Sequence, residues 1–364
     1  MDVGWVSASP PGDFEPHAAI ILSLTEMLEV SPRTVVELVR ALADRVPLVL
    51  IVRGEAQRQQ AIVLLTDWGL PAHRFHFLFM PVGTWTRDFA PGFVRWSDGR
   101  VIILDARSPF PDRPNDDVVP AALAALLRVP RRSVPMVLEG GNLLSNGQGL
   151  ALTTTALLDV NRFAGFDYDH VRVSALLAEY YGFANVAYLE PLLGYRTLHV
   201  DMFATFAGPD TVVVGACDPG EDAGSAAVLD RNAARLARLL TRSGPLRLVR
   251  VPMPPYSGGV CRTYTNVLYA NGRLLVPHYP EVDGGLEREV LDVYAAVLPG
   301  WEIVRVDCSD VIRCGGALRC VSAHVPWLHE RFAEAPASRP TDLMPTVESH
   351  VGSFPHDAGP VVAR

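Results

Sequence analysis

The residues best suited to chemistry lie near the C-terminal end of the chain. Cys314 and Cys320 flank the segment Gly-Gly-Ala-Leu-Arg, and a strand-like segment that reaches His324 follows the second cysteine. A thiol in such a place can be a buried packing residue, a metal ligand or a nucleophile. Which of these it is depends on the other side chains that the fold brings to it.

Four further polar motifs stand just before, or at the start of, a predicted β-hairpin. They are Trp85-Thr-Arg87-Asp88, Glu139-Gly-Gly-Asn142, His199-Val-Asp201 and Tyr264-Thr-Asn266. On a strand, residues i and i+2 point to the same face, which predicts that His199 and Asp201 face one pocket. Taken singly, each motif is equally compatible with a surface ion pair or a plain strand-end turn.

The hairpins themselves are predicted by Asp-Gly, Asn-Gly and Gly-Pro-Asp turns between apolar segments. They recur about every 50 to 60 residues, a period typical of propellers and arrays. Helices are predicted between them over Val119–Leu127, Val171–Tyr181, Ala226–Thr241 and Leu286–Val297. The predicted strand pairs are Phe93–Trp96 with Val101–Leu104, Asn142–Ser145 with Leu150–Thr153, Phe203–Phe206 with Val212–Val214, and Asn266–Tyr269 with Leu274–Pro277.

The Cys320 segment stands where a fifth hairpin is expected. The pattern therefore predicts a closed ring of about five ββαβ-like units, and equivalent positions in such a ring converge on its axis. A mixed α/β sandwich with coincidental turns is the alternative. We expect one domain over residues 1–332 and a Pro- and Ala-rich tail without periodicity over residues 333–364.

Composition excludes several classes of function. All 32 basic residues are arginine, so a lysine Schiff base and a P-loop lysine are excluded. The net charge of −8 disfavours nucleic acid and an anionic membrane as partners. An odd number of cysteines, no visible signal peptide and only short apolar segments indicate a cytoplasmic protein without a disulfide framework.

The cysteine spacing does not fit a metal site, since no C-x-x-C or H-x-x-x-H pair is present, and we predict no metal. Carboxylates near a thiol raise its pKa, which suits a substrate that brings its own positive charge. A guanidinium held between two carboxylates through charge-assisted hydrogen bonds would present an electrophilic carbon to the thiol.

These residues resemble the agmatine deiminase and bacterial peptidyl-arginine deiminase family of guanidino-group-modifying enzymes. The resemblance extends in order to about Pro326. It runs through Glu15-Pro-His17, Trp85-Thr-Arg-Asp88-Phe-Ala-Pro91, Glu139-Gly-Gly-Asn142, Asn161-Arg162, His199-Val-Asp201-x-Phe203, Tyr264-Thr-Asn266, Val276-Pro277 and Gly315-Gly-Ala-Leu-Arg-Cys320. It implies an α/β fold of the five-bladed propeller (pentein) type.

The resemblance also implies roles for these residues. Cys320 would be the nucleophile, His199 the general acid and base, and Glu139 the carboxylate that orients His199. Asp88 and Asp201 would clamp the guanidinium of a small cationic substrate, and Trp85, Asn142 and Arg319 would complete the substrate site. The implied reaction is hydrolysis through a covalent thiouronium intermediate to a ureido product and ammonia. It implies no cofactor, a link to polyamine biosynthesis, and a homodimer as the assembly to test.

The chain departs from the family pattern before the nucleophile. Agmatine deiminases usually carry glycines and then Asn-Ile-His there, whereas Ala317 and Arg319 replace the Asn and the His. If Arg319 lies near the far end of the substrate, it disfavours the terminal cation of agmatine and favours arginine or a peptide carboxylate. If it points away, as strand neighbours do in alternation, it has no such effect.

Three alternative functions remain at this stage. The first is an amidinotransferase of the same superfamily, in which an amine takes the place of water. The second is a peptidyl-arginine deiminase that acts on a peptide. The third is a guanidinium-binding protein without turnover, which the altered residues before Cys320 make worth testing.

Overall fold

The computed structural model describes residues 9–71, 75–96, 99–110, 113–192 and 194–327. Helices and strands alternate along these residues, as an α/β fold requires. The helices are α1 (Met27–Val30), α2 (Pro32–Leu42), α3 (Glu55–Asp67), α4 (Thr86–Phe89), α5 (Val119–Leu127), α6 (Ala156–Phe163), α7 (His170–Tyr181), α8 (Ala223–Leu236) and α9 (Gly284–Val297). The 3-10 turns are Asp116–Val118, Gly140–Asn142, Val200–Met202 and Val311–Cys314.

The strands are short, and most lie on sheets of three or four. They are β1 (His17–Ser23), β2 (Leu48–Val52), β3 (Phe75–Phe79), β4 (Gly92–Arg95), β5 (Val101–Arg107), β6 (Arg131–Val137), β7 (Leu144–Ser145), β8 (Leu150–Thr154), β9 (Asn185–Leu189), β10 (Ala204–Gly208), β11 (Thr211–Ala216), β12 (Leu240–Thr241), β13 (Gly244–Pro245), β14 (Arg247–Pro252), β15 (Leu268–Ala270), β16 (Arg273–His278), β17 (Glu302–Asp307) and β18 (Ser322–Pro326).

Five sheets share one connectivity. In each, an antiparallel pair is followed by a parallel strand that the chain reaches through a helical crossover. The sheets are β4-β5-β6, β7-β8-β9, β10-β11-β14, β15-β16-β17 and β18-β1-β2-β3, and β12-β13 forms a separate pair. The parallel strand follows a helical crossover in each case, since parallel neighbours need a connection of this length, and the sheet β18-β1-β2-β3 has β3 as a further parallel strand.

The four hairpins predicted from turn residues are present as the first two strands of four of these sheets. The turn at Asn271 and Gly272 has φ values of 46° and 89°, the left-handed conformations that Asn-Gly turns adopt between antiparallel strands. Asp98, part of the first predicted turn, lies outside the described residues.

The prediction of a fifth hairpin at Cys320 needs a correction. Strand β18 pairs antiparallel with β1, so that Ala323 lies opposite Ile21 and Val325 opposite Ala19. The partner therefore comes from the beginning of the chain. Pairing these two distant strands gives the fifth sheet an antiparallel pair like that of the others, and it places β1 inside the sheet between β18 and β2.

Three of the four helices predicted between the hairpins agree with the structure to within two residues. The helix expected over Ala226–Thr241 instead begins at Ala223, where Asp222 accepts a hydrogen bond from Ser225 N, and ends at Leu236. Leu240–Thr241 then forms a strand, because a turn with Gly244 at φ 130° folds the chain back onto it. The proposed tail over 333–364 lies outside the described residues.

The strands of the sheets form the core. All residues of β1, β2 and β8 are buried, which matches the near-continuous apolar sequence of strands covered on both faces. Within the described part of the chain, none of the helices combines the length and the apolar character needed to cross a bilayer.

Asn271 clamps the turn between β15 and β16 to the start of β1, and its loss should weaken the fold. Its side chain accepts from His17 N (2.8 Å) and donates to His17 O (3.0 Å). Asn271→Ala should lower the free energy of unfolding by about 1–3 kcal/mol, since two backbone groups lose their partners and alanine tolerates positive φ poorly. Urea unfolding would measure it.

The matched control is Asn185→Ala at the exposed start of β9, which should change the free energy of unfolding by less than about 0.5 kcal/mol. Equal effects of the two substitutions would contradict a specific role of Asn271.

Candidate active site

The predicted polar motifs lie on short turns that lead into the first strands of the sheets. Asp88 is in the one-turn helix α4, Asn142 in the turn Gly140–Asn142, and Asp201 in the turn Val200–Met202. The argument that His199 and Asp201 share one face of a strand is therefore wrong about local structure, because a 3-10 turn begins directly after His199. The two residues are nevertheless close to each other, and the charge of Asp201 contributes to raising the pKa of His199.

Hydrogen bonds link five of these loops in a closed cycle. Each loop bonds to the next, and the Cys320 loop bonds back to the first. The bonds run from Gly141 N to Asp88 Oδ1 (3.1 Å), Val200 N to Asn142 Oδ1 (3.2 Å), Thr265 Oγ1 to the Asp201 carbonyl (3.2 Å), Cys320 N to Asn266 Oδ1 (3.2 Å), and Arg87 N to the Cys320 carbonyl (3.0 Å). The cycle brings residues from distant parts of the sequence to one site.

Asn266 is a site residue that the predicted set omitted. Its Nδ2 donates to Cys320 Sγ at 3.2 Å, and its Oδ1 also accepts from Arg319 N at 2.9 Å. Asn142 makes similar contacts in another loop, where its Oδ1 accepts from Thr154 N and Val200 N. The matching position of the two asparagines at the start of predicted hairpins is the sequence signal that could have identified Asn266.

His199 is buried against two carboxylates. Its Nε2 is 3.2 Å from Glu139 Oε2, and its Nδ1 is 3.7 Å from Asp88 Oδ1. Both distances are within ion-pair range, but neither contact has the geometry of a hydrogen bond. Burial alone would lower the pKa of His199, but Asp88 and Glu139 raise it to about 9. Burial raises the pKa of Asp88, and the charges of Glu139 and Asp201 add to this, while His199 opposes it.

Cys320 is a buried thiol among carboxylates. Burial raises the pKa of this thiol well above its ordinary value, and Asp201 and Asp88 raise it further, while the hydrogen bond from Asn266 acts in the opposite direction. The sulfur is therefore protonated at neutral pH. A positive charge placed between the sulfur and the carboxylates would favour the thiolate.

Glycines allow the close packing of this site. A Cβ on Gly316 would lie 2.9 Å from Cys320 Sγ and 2.7 Å from Trp85 Cζ3, so the backbone before the cysteine passes between these two side chains. A Cβ on Gly141 would overlap Nδ1 of His199. Trp85 is thus placed near the thiol, as the sequence predicted, although its contact with a substrate stays a prediction.

Arg319 is buried, and its guanidinium is bonded to protein groups. Nε donates to Asp13 Oδ2 (2.7 Å) and Nη1 to Asp201 Oδ2 (2.9 Å). Two further bonds go to the carbonyls of Gly140 (3.1 Å) and Leu143 (3.2 Å). Direct contact with a substrate stays untested.

One group of side chains could hold a metal ion. Asp88, Glu139 and His199 each offer a ligand atom, and these atoms lie within 4.8 Å of one another. The same carboxylates favour protonation of His199, and a protonated imidazole cannot ligate a metal. The arrangement therefore suits proton transfer at His199 at least as well as metal ligation.

Comparison with known proteins identifies the family. Residues 10–326 match the model of the Porphyromonas-type peptidyl-arginine deiminase family, and the chain belongs to this family. A relative from Legionella pneumophila, provisionally named an agmatine deiminase, is 24% identical over 271 residues, which are 71% of this chain and 77% of the relative.

Solved structures of similar proteins share the fold. Agmatine deiminase of Enterococcus faecalis superposes with a TM-score of 0.75 at 21% identity, over 88% of this chain and 96% of that one. A cysteine-to-serine variant of C. jejuni agmatine deiminase with substrate bound gives a TM-score of 0.75 at 23% identity. The superposition covers 87% of this chain and 96% of that one. The protein is thus an agmatine deiminase-like enzyme of this family.

The contact between Glu139 and His199 predicts a titration. Because the pKa of folded His199 lies above its ordinary value of 6.5, protonation stabilises the fold fully below about pH 6.5, and this contribution is lost as the pH rises through about 9. Glu139→Gln should lower the pKa of His199 and reduce that loss of stability. NMR titration of labelled histidine, assigned with His199→Gln, would measure it.

Glu179→Gln serves as the matched control, since Glu179 pairs with Arg132 on the exposed surface. It should leave the His199 titration unchanged. An unchanged His199 midpoint in Glu139→Gln would show that Glu139 does not support the charged imidazole.

Proposed function

We propose that this protein is a cysteine-dependent deiminase that converts a guanidino compound to its ureido product and ammonia. The observation that carries the proposal is one buried site that holds a thiol (Cys320), an imidazole with a raised pKa (His199) and acidic side chains beside both. Those acidic groups repel a lone thiolate and attract a cation. A cationic substrate that contains its own electrophilic carbon satisfies both conditions.

The five sheets of equal connectivity and the closed cycle of loop hydrogen bonds support a five-bladed α/β propeller as the scaffold. In such a ring, the loops before the first strands face a common axis. This accounts for the meeting of Asp88, Asn142, His199 and Cys320 from different repeats. The scaffold would hold the reacting groups in place before the substrate arrives.

Asp88 and Asp201 are proposed to hold the substrate guanidinium. Oδ1 of Asp201 is buried and has no hydrogen-bond partner, so it can accept from a guanidinium N–H. Asp88 uses Oδ1 to accept from Gly141 N, which orients its carboxylate. A guanidinium between these groups would be close to Cys320, because both carboxylates affect the pKa of its thiol.

The reaction proceeds in two halves. The positive charge of the bound substrate favours loss of the Cys320 proton to solvent, and the sulfur forms a bond to the guanidinium carbon. One C–N bond of the tetrahedral adduct breaks as protonated His199 donates its proton to the departing ammonia, and a thiouronium remains on Cys320. His199 then accepts a proton from water, and the hydroxyl adds to the same carbon. The C–S bond breaks as the hydroxyl proton passes to the sulfur, which releases the ureido product and restores the thiol, and the ammonia takes up the proton released at the start to leave as ammonium.

Replacement of the thiol is the first test. Cys320→Ala should lower ammonia release from arginine, agmatine, methylated arginines and arginyl peptides by at least about 10⁴-fold, to the background, because the covalent route is lost. An enzyme-coupled ammonia assay would measure it, and mass spectrometry would detect the thiouronium on Cys320 in the unchanged protein.

Cys314→Ala is the matched control, since Cys314 is a second thiol only six residues away and ends the turn Val311–Cys314. It should retain most of the activity. Full activity in Cys320→Ala would refute the assignment of Cys320 as the nucleophile.

The same assays distinguish the alternative functions. Product formation only when an amine is added would identify an amidinotransferase. Saturable binding of guanidino compounds without turnover would identify a binding protein.

A crevice beside the site bears on the far end of the substrate. Thr197, Met202 and Gly315, which flank His199, Asp201 and Gly316 in sequence, line a depression of about 20 Å³. Arg196 and Arg313 line it as well, and no carboxylate is among the described lining residues. Cδ of Arg196 would be 3.0 Å from a Cβ on Gly315, and its Nη1 donates to the Cys314 carbonyl. Two exposed cations here favour a substrate with an anionic tail.

A comparison of arginine with agmatine tests this proposal. Arginine should have a lower KM than agmatine, since its carboxylate meets Arg196 and Arg313, whereas agmatine places nothing anionic there. Arg196→Gln and Arg313→Gln should each raise KM for arginine roughly three- to tenfold and leave that for agmatine nearly unchanged, as expected for partly exposed ion pairs. Steady-state kinetics would measure both.

Arg288→Gln on the exposed surface of α9 removes the same charge elsewhere and should change neither KM. The anionic-tail assignment would be refuted if the protein preferred agmatine and if Arg196→Gln and Arg313→Gln did not alter that preference. This outcome would not affect the assignment of Cys320 as the nucleophile.

A further inference from the structure

Asp201 is held on one side only. Its Oδ2 accepts from Arg319 Nη1 at 2.9 Å, while its Oδ1 is buried without a hydrogen-bond partner. The Asp201 side chain is completely buried. An ionised carboxylate in such a place is costly unless a cation compensates it.

Arg319 supplies that compensation from a fixed position. Its backbone N–H donates to Asn266 Oδ1, and its guanidinium is bonded to Asp13 and to the carbonyls of Gly140 and Leu143, as well as to Asp201. The side chain is 3% exposed. Since each of the three guanidinium nitrogens already donates at least one hydrogen bond to a protein acceptor, the orientation of the group is fixed.

Other charged groups near Asp201 do not replace Arg319. Asp88 and the Cys320 thiol add negative charge or none, and His199 is already shared between Asp88 and Glu139. Arg87 is attracted to Asp201, but its side chain is directed to His324 and to the Arg319 carbonyl. Among the arginines in the described part of the chain, Arg319 is the one that forms an ion pair with the Asp201 carboxylate.

We propose that Arg319 is a positioning residue, a built-in guanidinium that holds the Asp201 carboxylate turned so that its free oxygen meets the guanidinium of the substrate. This inference rests on the proposed function for the identity of the ligand. Asp201 then lies between two guanidinium groups, one permanent and one brought by the substrate. Arg319 acts through Asp201 and does not touch the substrate.

The test separates positioning from general stability. Arg319→Gln should raise KM for the guanidino substrate about tenfold or more, with a smaller fall in kcat, because a charge-assisted hydrogen bond to the bound substrate loses its orientation. In an Asp201→Asn background the same substitution should add little to KM, since the residue through which it acts is already altered.

Arg273→Gln is the matched control. Arg273 is also a buried arginine paired with two carboxylates, Asp44 (2.7 Å) and Glu302 (2.8 Å), but it lies on β16 away from the site. Its loss should lower the Tm without changing KM. If Arg319→Gln fails to fold, Arg319→Lys, which keeps the charge without the fork, and Asp13→Asn, which releases the other anchor, should raise KM in the same direction by smaller factors.

Binding measurements make the outcome independent of turnover. In a Cys320→Ala protein, calorimetry with arginine and agmatine should show a Kd at least tenfold weaker when Arg319→Gln is added. An ammonia assay that detects no product from the unchanged protein would refute the deiminase, while this Kd ratio still decides the role of Arg319. An unchanged Kd and KM in Arg319→Gln, equal effects of Arg319→Gln and Arg273→Gln, or no binding by the Cys320→Ala protein would overturn the positioning role.

Discussion

Repulsion among buried like charges is the constraint on which this structure depends. Asp88, Glu139 and Asp201 share one site with the thiol of Cys320, and such a set cannot all be ionised without compensation. Different groups compensate the different carboxylates. His199 lies between Asp88 and Glu139, while a backbone N–H from Gly141 reaches Asp88 and Arg319 reaches Asp201. The remaining imbalance is what attracts a cation.

In the proposed reaction, the same electrostatics would keep the site inactive until the substrate binds. Burial and two carboxylates raise the pKa of Cys320, and carboxylates also keep His199 protonated. A protonated thiol is a poor nucleophile, but a protonated imidazole is ready to donate to a leaving group. The charge of the substrate would therefore activate the sulfur and leave the acid in its working form. Nucleophile and acid need no mutual proton transfer in this arrangement.

Rigidity comes from the cycle of loop hydrogen bonds. Amide side chains do much of this work, since Asn142 and Asn266 each use one oxygen to accept from backbone groups of another loop. A loop held in this way cannot move without disturbing its neighbours. Because a catalytic geometry is sensitive to small displacements, a ring of mutually fixed loops is a suitable support for residues drawn from all parts of the chain.

Local sequence patterns determined the secondary structure and most of the motifs of the site. Turn residues predicted four hairpins, and the spacing of apolar residues predicted the helices to within a few positions, because both signals act over a few neighbouring residues. The recurrence of polar motifs before the hairpins indicated that Asp88, Glu139, His199 and Cys320 belong together. Only tertiary structure decided that β1 completes the sheet of β18, that Asn266 holds the thiol, and that Arg319 is bonded to Asp201 and Asp13. These contacts join residues that are 54 to 306 positions apart, or the two ends of the chain, and no local pattern encodes the direction in which a buried arginine extends.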